Sequence, residues 1–268
     1  MPYEPISILD IFKIGIGPSS SHTLGPWRAA QRFTRSLREE GLLFEVSSLE
    51  ILLYGSLAKT GKGHGTDIAI QLGLSGEDPV RFPTDQIDVR IREIAERKKI
   101  ILEGEQEIDF DPAKDIKFLL RESLPFHPNA LSFLVNLKNG GAMAETYYSV
   151  GGGFVIKDGE QNAATSVVQL PFPINTASDL LHWCMKTGMG ISEVVMENEG
   201  SWRNETETRA AVQDIGRVMR ECIFKGAHTE GILPGGLNVK RRACQLNTRL
   251  LGTRTYSDFD SLIMAIRT

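Results

Sequence analysis

The side chains best placed to do chemistry open with Ser19-Ser20-Ser21-His22-Thr23, bracketed by Gly17-Pro18 and Gly25-Pro26. Such a turn offers a small anion a nest of backbone N–H groups, several hydroxyl donors and one imidazole that titrates near neutrality. Ser and Thr before a helix usually cap it and do nothing more. On its own the tract therefore divides evenly between a cap and a site.

A second tract of the same character tips the balance. Gly61-Lys62-Gly63-His64-Gly65-Thr66-Asp67 reads as a glycine loop in which the backbone can approach a ligand closely. Lys62 offsets a carboxylate's charge, Thr66 adds a hydroxyl, and Asp67 is placed to orient the His64 imidazole and raise its basicity. The spacing matches neither the P-loop nor the dinucleotide fingerprint, which argues against a nucleotide. The competing reading is a surface loop with an incidental histidine.

His127, in Pro125-Phe126-His127-Pro128-Asn129, has a backbone fixed by prolines on both sides and the Asn129 amide beside it. Alone it reads as a turn histidine. Tyr147 to Gly153 ends a strand in three glycines, which suits close approach to an anion or a simple chain reversal. His182 and His228 fall in helical stretches and read as structural or exposed. There is no defensible Ser-His-Asp order and no H-E-x-x-H helix. As a group, the histidine tracts suit general-base chemistry next to a bound carboxylate.

The elements that position these tracts follow from periodicity. Ile6 to Ile14 is a short helix or strand. Leu24, Trp27, Ala30, Phe33 and Leu37 form a helical stripe ended by Gly41. Val46 to Tyr54 is a buried strand, and Ile68 to Leu74 a short helix. Asp85 to Glu103 reads as a solvated surface helix, and Ile108 to Leu119 holds a strand. Leu131–Leu137 and Met143–Val150 pair as a hairpin around Asn139-Gly140-Gly141. Beyond Gly159 helical spacing dominates, with helices at Asp179–Thr187, Ile191–Glu197, Glu205–Lys225 and Val239–Leu251. Pro234-Gly235-Gly236 breaks the chain, and Asp258 to Arg267 opens one more amphipathic helix.

Composition narrows the class. At 268 residues, 41% hydrophobic and 24% charged, the chain is an ordinary globular protein of one large or two modest domains. A net charge of −4 argues against nucleic acid or an anionic membrane as partner. There is no membrane-length apolar run and no secretory signal. Cys184, Cys222 and Cys244 are widely spaced and odd in number, which fits a reducing cytoplasm and not a disulfide framework.

The motifs carry a resemblance. Ile8 to Thr23, Tyr54-Gly55-Ser56-Leu57 with Thr60 to Asp67, Phe126 to Asn129, Thr146 to Phe154 and Thr229 to Leu237 are similar to the bacterial iron–sulfur L-serine dehydratases (L-serine ammonia-lyases). The resemblance implies an α+β fold. Residues 1–157 would form the beta domain, a mixed α/β sandwich similar to the allosteric substrate-binding domain of some phosphoglycerate dehydrogenases. A linker would cover 158–174, and 175–268 would be the helical start of the alpha (catalytic) domain, truncated. His127-Pro128-Asn129-Ala130 departs from the family's more usual His-x-Asn-Gly.

The implied reaction takes L-serine to pyruvate and ammonia without pyridoxal phosphate, using a [4Fe–4S] cluster as Lewis acid. None of the three cysteines matches the family's ligand motifs, so no metal ligand is assigned to this chain and the cluster belongs to a separate alpha domain or subunit. The carry-over makes His64 the catalytic base. It makes Ser19, Ser20, Ser21, His22, Thr23, Lys62, Thr66, Asp67, His127 and Asn129 the substrate-binding set. It also implies a homodimer. Two rival readings remain: a non-catalytic serine-sensing module, and a scaffold that only mediates dimers.

Overall fold

The computed structural model describes residues 5–160, 168–233 and 238–253. They divide into two compact units, one ending at Arg209 and one beginning at Ala210. The first unit starts with α1 (Ile8–Ile11), capped reciprocally by Ser7 and Asp10, and a π-helical turn (Ser20–Leu24) that runs into α2 (Gly25–Glu39). Next come β1 (Val46–Leu53), α3 (Gly55–His64), α4 (Thr66–Leu74) and α5 (Ile87–Arg97). β2 (Lys99–Leu102), β3 (Gln106–Asp109), α6 (Pro112–Asp115) and β4 (Ile116–Phe118) follow. β5 (Ala130–Leu137), β6 (Ala142–Gly151) and β7 (Phe154–Lys157) complete the strands among the described residues. The remaining helices are α7 (Ala177–Thr187), α8 (Ile191–Glu199), α9 (Glu205–Ala227) and α10 (Ala243–Thr253).

The main sheet has the order β4-β1-β5-β6-β7. β4 runs parallel to β1, and every other pairing is antiparallel. With helices packed on it, the fold is α+β. One sheet face is apolar because Leu49, Ile51 and Leu53 on β1 alternate with Ser48, Glu50 and Leu52, putting every second side chain inside. The α2 stripe lies over that face. Phe33 stacks on Phe133 of β5 with ring centres 4.5 Å apart. Burying side chains of this size contributes about 1.5–3 kcal/mol each, so this face anchors α2 and the turn that precedes it.

Several expectations need correction. The glycine tract at 61–65 is not a loop: α3 continues through Gly61 and Gly63, and only Gly65, at φ +65°, turns the chain into α4. Gly61 is needed for space, since a Cβ there would lie 2.9 Å from the Thr66 hydroxyl oxygen. The surface helix expected to reach Glu103 stops at Arg97, where Lys98 adopts φ +51°. Ile100 and Leu102 are buried while Lys99 is exposed, so this is the strand β2, closed into a hairpin with β3 by Glu103 and Gly104, both at positive φ. The strand expected within 108–119 is divided between β3 and β4 by α6. β7, four residues long, carries no strand signal of its own in the sequence. The helix expected from Val239 begins at Ala243. The break at Pro234–Gly236 and the helix opening at Asp258–Arg267 lie outside the described residues.

Within the first unit, α8 is tied to the start of the chain. The buried Glu199 carboxylate accepts hydrogen bonds from the Ser7 hydroxyl and the Ile8 N–H, both at 2.8 Å, and pairs with Arg203. Among the described residues, no helix is long and apolar enough to cross a membrane.

Candidate active site

His22 sits on the π-helical turn. The Leu24 and Gly25 N–H groups reach back five residues, to the carbonyls of Ser19 and Ser20, so the turn is one residue wider than an α-helix. Ser19 caps it, its hydroxyl accepting from the His22 N–H at 3.2 Å. His64 is the last residue of α3. Forty-two positions separate the two histidines, yet their ring centres are 5.0 Å apart, tilted by 40°.

Two threonines hold them together by a reciprocal exchange. The Thr23 hydroxyl donates to the His64 carbonyl at 2.8 Å, and the Thr66 hydroxyl donates to the His22 carbonyl at 2.5 Å. Both threonines are buried. Each residue next to one histidine, or two away from it, therefore pins the backbone of the other. The substrate-binding expectation for Thr23 and Thr66 thus meets side chains whose protons are committed to the scaffold.

Hydrogen-bond partners set what each ring presents. His64 Nδ1 lies 2.9 Å from the Thr60 carbonyl, one turn back on α3. A carbonyl only accepts, so Nδ1 carries the hydrogen and the neutral ring keeps a lone pair on Nε2. Thr60, and not Asp67, orients this imidazole, which corrects the role expected for Asp67. Burial raises the Asp67 carboxyl above the usual range, opposed by backbone N–H donors and by the Lys62 charge. Lys62 itself is exposed, with its ammonium 5.2 Å above the Phe118 ring.

His127 is the mirror case. Its Nδ1 accepts the Asn129 N–H at 3.1 Å, so in the neutral ring the hydrogen is on Nε2 and the side chain offers a donor. His22 is bonded at both ends, to the Ser21 hydroxyl from Nδ1 (2.9 Å) and to the Ser56 hydroxyl from Nε2 (2.8 Å). Burial, followed by the neighbouring His64, holds its pKa below the ordinary 6.5 despite the bond to Ser56. His22 is accordingly neutral at pH 7.

The three tracts meet through the backbone. The Ser56 N–H donates to the Pro128 carbonyl at 2.9 Å. The Ser149 hydroxyl donates to the Ser21 carbonyl at 2.7 Å, while Ser149 and Asn129 exchange bonds through the Ser149 N–H (2.9 Å) and the Asn129 amide (3.2 Å). Asn129 thus braces the 125–129 loop against the end of β6. Ser20 is exposed and, with Ser19, Lys13 and Gly152, lines a cleft of about 260 Å³ beside the tract. Sequence reasoning missed Ser56 and Ser149. The available signal for Ser56 was its place at a strand-to-helix junction directly after a buried strand. His182 is exposed on α7, and His228 is exposed in the turn directly after α9, outside the helical stretch expected for it.

Among the described residues no cluster site appears. Cys184, Cys222 and Cys244 are free thiols on α7, α9 and α10, and among the described residues no three His, Cys, Asp or Glu side chains are grouped as a metal requires. The residues described here do not fit an iron–sulfur cofactor.

The chain is 43% identical over 263 residues to an L-serine dehydratase of Streptomyces coelicolor, covering 97% of this chain and 57% of that protein. It is 40% identical over 258 residues to L-serine dehydratase 1 of Escherichia coli, covering 94% and 56%. An L-serine dehydratase of Mycobacterium bovis is 42% identical over 247 residues, covering 89% and 52%. The chain thus spans little more than half the length of these relatives. The model of the serine dehydratase beta chain matches residues 7–160, which hold both histidine tracts, the 125–129 loop and the whole main sheet. That match takes in more than half of the 268 residues, and the chain belongs to the serine dehydratase beta-chain family.

Proposed function

We propose that this chain supplies the proton-abstracting half of an L-serine dehydratase, which converts L-serine to pyruvate and ammonia. The observation that carries this reading is the His22–His64 pair, 5.0 Å apart, with His64 turned so that its Nε2 lone pair is available. The Cα proton of serine is weakly acidic, so its removal needs a base in its neutral form near pH 7 and fixed in place. Thr60 and the threonine exchange fix His64 in place with Nε2 left to accept the proton. His22, neutral beside it, places no second positive charge next to the imidazolium that forms.

The Nε2–H of His127 and the exposed Ser20 hydroxyl are donors suited to the substrate carboxylate. Transfer of the Cα proton to His64 and departure of the hydroxyl as hydroxide, which takes that proton to become water, leaves an enamine that hydrolyses to pyruvate and ammonia. The leaving hydroxyl needs an acid. In this reading a [4Fe–4S] cluster would supply that Lewis acidity and would be held by the part of the relatives' length that this chain does not span.

The test is His64→Ala, assayed for serine turnover with the chain combined with that remaining part. A fall of about a hundredfold or more is expected for loss of a general base. Turnover within a few-fold of the parent rejects the assignment. A change confined to activation or cooperativity, with turnover intact, would make the pocket a serine sensor instead.

A further inference from the structure

Nothing in the family comparison assigns a part to Ser56, yet it is the only residue of α3 bonded to the His22 ring. Its hydroxyl meets Nε2 at 2.8 Å, while the Ser21 hydroxyl meets Nδ1 at 2.9 Å. Hydroxyls donate and accept equally well, so this bracket fits either neutral tautomer of His22. A carbonyl fixes the tautomer of His64 and a backbone N–H that of His127. His22 alone of the three has reversible partners at both nitrogens. The chain of hydroxyls continues from Ser21 to Ser19, with the oxygens 3.4 Å apart, and Ser19 lines the open cleft of about 260 Å³.

Placement supports a link between this chain and the base. Ser56, Thr60 and His64 follow one another at four-residue spacing along one side of α3. The Ser56 carbonyl accepts from the Thr60 hydroxyl at 3.0 Å, and the Thr60 carbonyl accepts from His64. Ser56 itself is held by its N–H to Pro128. The hydroxyl that fixes His22 and the ring that serves as base thus stand on the same short, braced helix.

We propose that Ser56 is a positioning residue that, with Ser21, makes His22 a proton relay between the Ser56 hydroxyl, on the helix that carries His64, and the cleft at Ser19. The proposal rests on the reading of the histidine pair as a serine dehydratase site. In the step itself, the Ser56 oxygen takes up a proton from the substrate side as its own hydroxyl proton passes to His22 Nε2, where a new N–H bond forms. The Nδ1–H bond breaks and its proton passes to the Ser21 oxygen, the Ser21 proton passes to the Ser19 oxygen, and the Ser19 proton passes to water in the cleft. One proton is transferred, His22 ends neutral as it began, and rotation of the hydroxyls with tautomer exchange resets the path. Burial that keeps His22 uncharged suits this role, because a standing imidazolium would have no vacant nitrogen.

The test uses the whole chain, labelled with ¹⁵N in its histidine rings, as the parent, Ser56→Ala and Ser56→Thr. In the parent, the His22 ring nitrogens should show averaged shifts of two exchanging neutral tautomers at pH 7.5. Ser56→Ala should collapse them to a single tautomer, and Ser56→Thr, which keeps the hydroxyl, should restore the exchange. In serine turnover with the remaining part of the enzyme supplied, kcat should fall about tenfold or more for Ser56→Ala with KM within twofold, and Ser56→Thr should return to within threefold.

His22 shifts unchanged by Ser56→Ala would overturn the proposal. So would a folded Ser56→Thr that fails to restore them, or a loss of turnover without a tautomer change. These ring-nitrogen readings do not depend on His64 being the base, so failure of that assignment leaves a distinct signature.

Discussion

His64 and His127 both lie in tracts punctuated by glycine or proline, and both contact the backbone through Nδ1. Their chemistry is nevertheless opposite. At His64, Nδ1 faces the Thr60 carbonyl and must donate, which leaves Nε2 as a base. At His127, Nδ1 faces the Asn129 N–H and must accept, which leaves Nε2–H as a donor. The difference comes from secondary structure. Inside a helix the group one turn behind a side chain is a carbonyl, whereas in the 127–129 turn the nearest group is a forward N–H. Which nitrogen of each ring donates and which accepts is thus set by the backbone group beside it, and the composition of the tract does not reveal it.

Apart from the loss of His64 itself, the strongest way to break this contrast is to unlock the pair. Thr66→Val removes the donor to the buried His22 carbonyl and should cost about 1–3 kcal/mol of unfolding free energy, read by denaturant titration. Thr23→Val should cost a similar amount through the His64 carbonyl. If the exchange is cooperative, the double variant will lose less than the two single losses added together. Unchanged stability in both single variants would mean that the hydroxyls do not hold the two tracts.

His127→Gln sharpens the contrast from the other side. If His127 donates to the substrate carboxylate as proposed, KM for serine should rise by up to about tenfold, roughly 1.4 kcal/mol, with kcat little changed. A large fall in kcat at constant KM would instead place a second base in the 125–129 loop.

The smallest expected effect is on acid stability. Folding holds His22 neutral, with its pKa below the ordinary 6.5. The unfolded chain binds that proton at about its ordinary value, so below pH 6.5 it carries more protons than the native state. The His22 contribution is therefore fully present above pH 6.5 and is lost as pH falls toward the lowered native value. Unfolding midpoints between pH 7.5 and 5 should decline less steeply in His22→Gln than in the parent. Parallel curves would show that His22 is not shielded.

Long elements with a single consistent period were legible. The stripe from Leu24 to Leu37 became α2, and Val46–Leu53 became β1 with the expected alternation. The hairpin around Asn139–Gly141 formed as β5 and β6. Short or glycine-rich pieces were not. α3 tolerates Gly61 and Gly63 because it is packed between the sheet core, through Leu57 and Ala58, and α4. β2 and β7 are four residues each, too short for a period to show, and exist because a partner strand accepts them. Among the site residues, His22, His64 and His127 stood out by type. Ser56 and Thr60 did not, since their parts depend on which atom lies within 3 Å of a ring.

The linear order of residues was enough to determine the chemical inventory: three histidines among hydroxyls and glycines, a fold class, and a family. Only tertiary structure decided which imidazole is an acceptor, which is a donor and which is held between two hydroxyls. The physical reason is range. Hydrophobic periodicity and capping act over a few neighbouring residues and are written along the chain. Tautomer, protonation and the meeting of positions 22 and 64 depend on hydrogen bonds and burial that only packing creates.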